Sequence, residues 1–310
     1  MKKLSYLASA VVAALGFSTA ANADVSVSGA GSLALVNDGG NSTNEIVNGG
    51  SVSFALSTTT SNGLGIAMGM GITRATDGAA ATLEPTGAGS VTFTTGGNTI
   101  VVGAVGTVGA GTGSVGGVTG DVVGLADGVA AAASTDLTET TGSGVTLATT
   151  VGGASLTIGY IYDASGADNL GNLDSDATAT GIAITMPVGD MSVSLGYATA
   201  TDTNSETDIG ASVAYAAAGG TLTVGYGNAS LNAGDATTMG VSYAMDLDAD
   251  TSLAIGYNST KDATNSNTTM EASVSRSLGG GASLFLDIVN VSGDGANTGS
   301  AFAVGTSVSF

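Results

Sequence analysis

The chain ends on Phe302-Ala303-Val304-Gly305-Thr306-Ser307-Val308-Ser309-Phe310, in which every second position is apolar except for Thr306. Successive side chains of a β-strand point to opposite faces of a sheet, so the even-numbered positions share one face. The odd-numbered positions of 301–309 hold only Ala, Gly and Ser. One apolar face and one face of small or polar residues is typical of a strand between lipid and an aqueous lumen. A buried edge strand of a soluble β-sandwich is the alternative for this segment alone.

The first 23 residues have the pattern of an export signal. Lys2 and Lys3 precede the apolar run 4–17, and Ala21-Asn22-Ala23 supplies a small-x-small cleavage pattern. The run is short for a membrane-spanning helix, which needs about 20 residues. We therefore expect cleavage after Ala23 and delivery of residues 24–310 to the outer membrane.

Two residue types are missing altogether: the chain has no cysteine and no histidine. Disulfides, thiolate zinc sites and catalytic arrangements that need a Cys or His are therefore excluded. The acidic residues stand singly in Gly-, Ala- and Asn-rich stretches such as 163–176, without catalytic spacing. The sequence predicts that the protein is not an enzyme and holds no cofactor. Ca²⁺ bridging acidic connections is the one metal chemistry left open.

The charge of the exported part is strongly acidic. Three basic residues, Arg74, Lys261 and Arg276, stand against 25 acidic residues after position 23, which gives a net charge of −22. Nucleic acid is therefore not an expected partner, because phosphate backbones are bound by basic surfaces.

A short strand motif recurs four times, as LTIGY at 156–160, VSLGY at 193–197, LTVGY at 222–226 and LAIGY at 253–257. In each copy the apolar residues and the tyrosine share one face. Aromatic residues at equal heights on a barrel form a girdle at the membrane interface. We predict one girdle from Tyr160, Tyr197, Tyr226 and Tyr257, and an opposite one from Tyr215, Tyr243 and Phe310. A solenoid or a soluble β-core would also place such residues on one face.

Short and long connections alternate along the chain, which predicts 16 antiparallel strands in an all-β transmembrane barrel. The predicted strands include 25–36, 51–59, 64–73, 90–95, 98–103 and 300–310. The short turns are expected at 60–63, 96–97, 152–153, 187–190, 217–220, 246–250 and 278–281. Long connections are expected at 37–48, 74–88, 104–141, 163–176, 201–206, 228–235, 258–267 and 292–299.

The chain resembles a general porin in several features taken together. They are the leader, the chain length, the alternating connections, the terminal phenylalanine and the opening strand Asp24-Val25-Ser26-Val27-Ser28-Gly29. The resemblance is to the alphaproteobacterial, Rhodobacter-type group. It implies a homotrimer of 16-stranded barrels in outer-membrane lipid. It also implies a water-filled pore in each barrel, narrowed by a third external loop folded into the lumen.

The third long connection, 104–141, is the longest and is the expected constriction loop. Its acidic residues are Asp121, Asp127, Asp136 and Glu139, and it contains no basic residue. A flexible loop outside the barrel is the alternative for its Gly- and Ala-rich part. Porins of this kind set an acidic loop against basic residues on the opposite wall. This sequence departs from that pattern, because strand parity places Arg74 and Arg276 toward lipid, and Lys261 is expected in a loop.

The same parity places Asp208, Glu271 and Asp287 on the lumen face, so the predicted wall is acidic as well. The expected function is passive diffusion of small hydrophilic solutes and ions, with a preference for cations. The alternative is a secreted or surface-attached acidic β-rich adhesin or structural protein.

Overall fold

The computed structural model describes residues 23–37, 44–74, 83–86, 89–113, 115, 142–163, 178–201, 205–231, 234–294 and 298–310. Residues 1–22 of the predicted leader and the four acidic residues of the third connection lie outside these ranges. Within them, no helix has the length and hydrophobicity that a membrane span requires.

The described residues form β-segments that pair only with antiparallel neighbours. They are β1 Ala23–Asn37, β2 Asn44–Thr59, β3 Gly65–Arg74, β4 Leu83–Thr86, β5 Ser90–Thr95, β6 Asn98–Val105, β7 Gly142–Val151, β8 Ala154–Asp163, β9 Thr178–Val188, β10 Met191–Thr201, β11 Ser205–Ala217, β12 Gly220–Leu231, β13 Gly234–Asp246, β14 Thr251–Lys261, β15 Ser266–Gly279, β16 Ala282–Gly293 and β17 Gly299–Ser309. The last strand returns to the first, with Ala30 opposite Ser309 and Asn37 opposite Phe302. The sheet is therefore a closed barrel.

The barrel has 16 strands although 17 segments are present, because β4 and β5 share one place in the wall. Both pair with β3: β4 with its end at Gly71–Arg74, and β5 with its start at Gly65–Met68. The predicted strand count is confirmed. β4 was not predicted, and it lies inside the predicted connection 74–88.

All seven predicted short turns are present, and several carry glycines with positive φ. In the turn between β11 and β12, Ala218 has φ 48° and Gly219 has φ 83°. Two-residue hairpin turns of this type need positive φ at both central residues, which is costly for alanine. The Tyr243 hydroxyl is 3.1 Å from the Ala217 carbonyl oxygen and 3.0 Å from that of Ala218 and donates to them. Tyr243 thus braces the strained turn.

The distribution of buried residues is the reverse of that in a soluble protein. Large apolar side chains on the outer face are exposed, whereas the buried residues lie on the inner face. One inner cluster joins β1, β16 and β17 and contains Ala34, Val36, Phe285, Val289, Val291, Ala301 and Ala303. An exposed apolar outer surface is what a lipid-facing wall requires.

The motif tyrosines occupy equivalent places. Tyr160, Tyr197, Tyr226 and Tyr257 are each the seventh residue of their strand, counted from a short turn, and they share the outer face with Leu156, Leu195, Val224 and Ile255. Tyr215 and Tyr243 lie near the short-turn ends of β11 and β13, and Phe310 follows β17 at the same end. Two rows of aromatic side chains therefore stand at different heights. Their placement at membrane interfaces stays a prediction.

Several predicted connections are shorter than expected, because the strands run further toward the long-connection end. β2 begins at Asn44 and pairs with β1 as far as Asn37. The connections predicted at 201–206, 228–235 and 258–267 shrink to 202–204, 232–233 and 262–265. Lys261 ends β14, so its expected place in a loop was wrong. Polar residues that are typical of loops in the sequence thus continue the strand pairing beyond the apolar part of the outer face.

The barrel closes at Phe310. The Gly29 N–H donates to the Phe310 carbonyl at 3.1 Å, and the Phe310 N–H donates to the Gly29 carbonyl at 3.0 Å. The Phe310 ring covers Gly29 so closely that a side chain at position 29 would collide with it. Such aromatic–glycine pairs pin strand register.

Deletion of Phe310 is expected to lower the yield of folded barrel without affecting synthesis, because it removes two closing hydrogen bonds and uncovers a sheet edge. Phe310→Ala, which keeps the backbone bonds, should have a smaller effect. Heat-modifiable migration in gels measures the folded fraction. Phe93→Ala, an outer-face substitution away from the seam, is the control. Equal yields for all variants would contradict this role of the C-terminus.

Replacing the outward, exposed Ile255 by lysine should destabilise the barrel by about 2–4 kcal/mol, the usual range for a base near the bilayer midplane. Ala254 is its inward neighbour on β14, and Ala254→Ser should change stability little. Because the chain has no tryptophan, folding in lipid vesicles is best followed by gel migration against urea concentration. A larger loss for the Ala254 variant would reverse the assignment of the faces.

Candidate functional site in the barrel lumen

The two faces of the wall are distinguished most clearly on β10. Leu195 and Tyr197 are 42% and 43% exposed on one face, while Gly196 and Ala198 between them are buried. In a closed barrel the apolar, exposed face is the outside, so Gly196 and Ala198 face the lumen. The same alternation assigns the inward residues of the other strands.

Burial of the inward residues changes along the barrel axis. On β13, Ala236, Thr238 and Gly240 are buried, whereas Ala244 and Asp246 near the short turn are exposed. On β1, Ser26 and Ser28 are exposed, and Ala34 and Val36 are buried. The lumen is thus open at the short-turn end and filled against these strands at the long-connection end.

The described start of the third connection, residues 106–113 and 115, lies on the lumen face of β8 to β13. It crosses the strands in order, with Val108 at Gly159 and Gly181, Gly109 and Thr112 at Gly196, Gly113 at Gly210 and Gly225, and Val115 at Gly240. We refer to 106–115 without residue 114 as the crossing segment. The crossing segment therefore contacts the inner face of six adjacent strands.

The six wall glycines under the crossing segment form register pairs across neighbouring strands. Gly159 lies opposite Gly181, Gly196 opposite Gly210, and Gly225 opposite Gly240. We refer to these six residues as the glycine track. A Cβ atom added at any of them would approach the crossing segment closer than 3.0 Å, which real Cβ atoms essentially never do. At Gly159 the close atoms belong to the Val108 side chain, whereas at the other five glycines they include the backbone of the crossing segment. At those five positions only glycine permits the observed backbone separation.

Asp208 on β11 attaches the crossing segment to the wall. The Gly111 N–H donates to Asp208 Oδ2 at 2.9 Å, and Asp208 is 2% exposed. Within the segment, the Thr112 hydroxyl donates to the Gly109 carbonyl at 2.8 Å. A charged acceptor strengthens such a bond.

The three predicted wall acids all occupy inward positions, in different surroundings. Asp208 and Asp287 are 2% and 1% exposed, and Glu271 is half-buried. The Ser273 hydroxyl donates to Asp287 Oδ1 at 2.6 Å. Asp208 and Asp287 are therefore bonded to other groups of the chain and shielded from water. The parity argument placed these residues on the lumen face but gave no indication of this burial.

One strip of the inner wall has no buried inward residue among its described positions. It comprises β2, β3 and β5, where Ser53, Ala55, Ser57, Gly69 and Thr94 are exposed toward the lumen. We refer to these residues as the open strip. The side chains of the open strip are small, all of its polar ones are hydroxyls, and none carries a charge.

The described basic side chains lie outside the lumen. Lys261 and Arg276 occupy outward positions of β14 and β15. Arg276 Nη1 is 3.8 Å from Asp248 Oδ2 and donates to the Thr251 hydroxyl at 3.1 Å. The predicted lipid-side parity of Arg276 fits this position at the rim. Arg74 ends β3.

Two acids in the connections have lowered pKa values. The Asp250 N–H and the Thr251 hydroxyl, which donate to Asp248, lower the pKa of that carboxyl, with a smaller effect of Arg276. The Thr264 and Asn265 N–H groups lower the pKa of Asp262 in the same way. Both carboxylates therefore stay charged to lower pH than an ordinary aspartate. Among the described residues, no group of three acids is placed to hold a metal ion.

The glycine track is the feature that sequence reasoning missed, although a signal for it was present. Each copy of the strand motif places a glycine directly before the tyrosine, and three of these glycines, Gly159, Gly196 and Gly225, belong to the track. The motif was interpreted through its outer face alone. The inner face of the same residues carries the loop.

The fold of this barrel is similar to that of solved porin structures. A structure of a porin refined at 1.8 Å resolution superposes with a TM-score of 0.70 at 16% identity, over 93% of this chain and 100% of that one. The trimer form of OmpT from Vibrio cholerae gives 0.67 at 14% identity, over 93% and 99%. A mutant porin of Rhodopseudomonas blastica gives 0.62 at 18% identity, over 93% and 100%.

Sequence comparison gives the family. No curated protein sequence matches the chain. The family profile described as Gram-negative porin matches residues 8–296, which is nearly the whole length. The chain belongs to the Gram-negative porin family.

Proposed function

We propose that this outer-membrane diffusion channel passes small hydrophilic solutes and ions and favours cations over anions. Membership of the Gram-negative porin family supports passive diffusion. The family consists of channel proteins, so an enzymatic activity is not proposed. The cation preference is argued from the charges that reach the aqueous part of the lumen.

The observation that carries the preference is the sign of these charges. Asp24 on β1 and Asp246 on β13 are inward and exposed near the short-turn end, and Glu45 on β2 is inward and exposed at the other end. Both described basic side chains, Lys261 and Arg276, point outward. Acidic groups at both mouths attract cations into the lumen and repel anions.

Under the same proposal, the acids of the third connection add to the negative potential of the lumen. Asp121, Asp127, Asp136 and Glu139 follow the crossing segment in the chain, and no basic residue lies between them. The crossing segment lies on the lumen face as far as Val115, its last described residue. We propose that the rest of the connection narrows the pore and brings these four acids close to the permeating ions.

The adhesin alternative is not favoured. A soluble or surface-attached β-protein would have no use for exposed apolar side chains around the whole outer face of a closed barrel. The water-accessible inner strip would be equally unexplained.

A homotrimer is part of the proposal. OmpT of Vibrio cholerae, a structural neighbour, is described in a trimer form. Barrels of this size commonly associate through part of their outer face, where close contact replaces lipid. The outer-membrane location with a cleaved leader and lipid as surroundings belongs to the same proposal.

The reversal potential in a KCl gradient should show K⁺ preferred over Cl⁻ at 0.1 M salt, and the preference should fall toward 1 M. The Debye length shrinks over this range from about 10 Å to about 3 Å, so acids at the mouths cease to act across the pore. Planar bilayers with the purified protein provide the measurement. Anion preference at low salt would overturn the proposed selectivity and leave the channel itself intact.

Neutralising Asp121, Asp127, Asp136 and Glu139 to Asn or Gln should weaken the cation preference. The matched control neutralises four acids at another long connection, namely Asp163, which ends β8, and Asp168, Asp174 and Asp176, which follow it in the chain. If the third connection narrows the pore, its four charges act at shorter range and have the larger effect. Equal effects of the two sets on the reversal potential would refute the constriction.

In mild detergent the purified protein should migrate as three chains, and dissociate to single folded barrels before it unfolds on heating. Light scattering in the detergent gives the mass of the protein part. A folded protein that is monomeric at all concentrations would remove the trimer and leave the barrel untouched.

A further inference from the structure

The six residues of the glycine track lie directly under the crossing segment. We propose that the glycine track is a seat for the crossing segment, and that the depth of this seat fixes how far the segment reaches into the lumen and so how wide the pore is. The inference rests on the proposed channel function and goes beyond it by naming the residues that set the pore width.

Glycines in both the wall and the crossing segment allow the two backbones to approach closely. In the crossing segment, Gly109 has φ 86°, and a Cβ there would approach the Ile182 and Tyr197 backbones closer than 3.0 Å. A Cβ at Gly113 would likewise collide with the Tyr226 backbone. Glycine in the wall thus meets glycine in the segment, and backbone lies on backbone. Any side chain between them must lift the segment off the wall.

The direction of such a movement follows from the closed geometry. Outward movement is blocked by the wall, so added volume in the track displaces the segment toward the lumen axis. The open strip on β2, β3 and β5 lies across the lumen from β8 to β13 in the strand order. A displaced segment approaches this strip, and the passage between them becomes narrower.

Asp208 holds the segment in place along the track. Its carboxylate accepts the Gly111 N–H near the middle of the crossing segment. This hydrogen bond supplies a directional attachment that van der Waals contacts between glycine backbones do not provide. In this scheme Asp208 acts through the segment and is a positioning residue of the pore.

The first experiment tests the seat itself by a disulfide in the full-length protein, which has no native cysteine. A Cβ at position 159 would lie 3.1 Å from the Val108 Cβ, and disulfides span about 3.5–4.5 Å between Cβ atoms. Val108→Cys with Gly159→Cys should therefore cross-link on oxidation with a small adjustment. Val108→Cys with Gly69→Cys, across the lumen, is the control pair. Equal cross-linking of both pairs, or of neither, in the folded barrel would overturn the seat.

The second experiment tests the effect on the pore. Gly181→Ala and Gly240→Ala each place a methyl group against a backbone carbonyl of the crossing segment. Gly69→Ala also adds an inward methyl group, but its nearest neighbour is a carbonyl oxygen at 3.8 Å. The two track variants should lower the single-channel conductance, and the Gly69 variant should leave it unchanged. Conductance is measured only for protein that shows heat-modifiable migration, so misfolding is separated from narrowing.

The outcomes separate the seat from the channel. If folded track variants conduct like the unsubstituted protein, the seat does not set the pore width, and the inference is refuted. If the track variants do not fold while the 108–159 cross-link forms, the conductance of the oxidised and reduced cross-linked protein decides. Reduction should then leave conductance unchanged, because the bond holds the segment where it already lies, and a change would refute the seat. Absence of any conductance from folded unsubstituted protein would refute the channel instead.

Discussion

A wall that faces lipid has to satisfy every backbone N–H and C=O group within itself, and this requirement governs the whole molecule. The wall meets it only if the last strand pairs with the first, which β17 does along β1 from Ala30 to Asn37. The exchange of two hydrogen bonds between Gly29 and Phe310 extends this seam by one more pair. Because closure completes the backbone hydrogen bonding, the side chains do not have to form the apolar core of a soluble protein. They can be apolar outside and small or polar inside.

Closure also explains why a recurring dipeptide can serve two purposes. In each Gly-Tyr pair of the strand motif, the two residues point to opposite sides of a wall only one residue thick. The tyrosines of the pairs at 160, 197 and 226 stand in one outer row, while their preceding glycines admit the crossing segment on the inside. A substitution that shifted the register of one of these strands by one residue would turn its tyrosine toward the lumen and its glycine toward the outside. The outer surface and the pore are therefore coupled through register, without any contact between them.

Much of the fold could be predicted because lipid imposes alternation on each strand. The strands 90–95 and 300–310 were predicted within a residue or two of β5 and β17, and all seven short turns were found. The prediction failed where lipid imposes nothing. β4 and the first residues of β2 lie toward the long connections, where both faces of a strand can be polar and the alternation disappears. There, pairing with a neighbour decides, and that is a tertiary property.

The site could be predicted in part for the same reason. Parity gave the inward direction of Asp208, Glu271 and Asp287, because direction is local. It could not give the burial of Asp208 and Asp287, because burial depends on chain segments remote in sequence: Gly111 is 97 positions from its partner Asp208. The glycine track was equally hidden, since three of its members come from strands without the motif. A search for glycines that fall opposite one another across neighbouring strands would have found it.

The burial of Asp208 changes how acidity and selectivity are related in this lumen. The Asp208 carboxylate accepts the Gly111 N–H and is fixed in place by this bond, so it holds the crossing segment against the wall. The acids that remain exposed at Asp24, Glu45 and Asp246 act through water, where ions screen them. Along the open strip between them, permeating ions meet hydroxyls, small apolar groups and backbone. Under the proposed function, such a pore selects by charge at its entrances and by width along its length, and under the proposed seat the width depends on where the crossing segment rests.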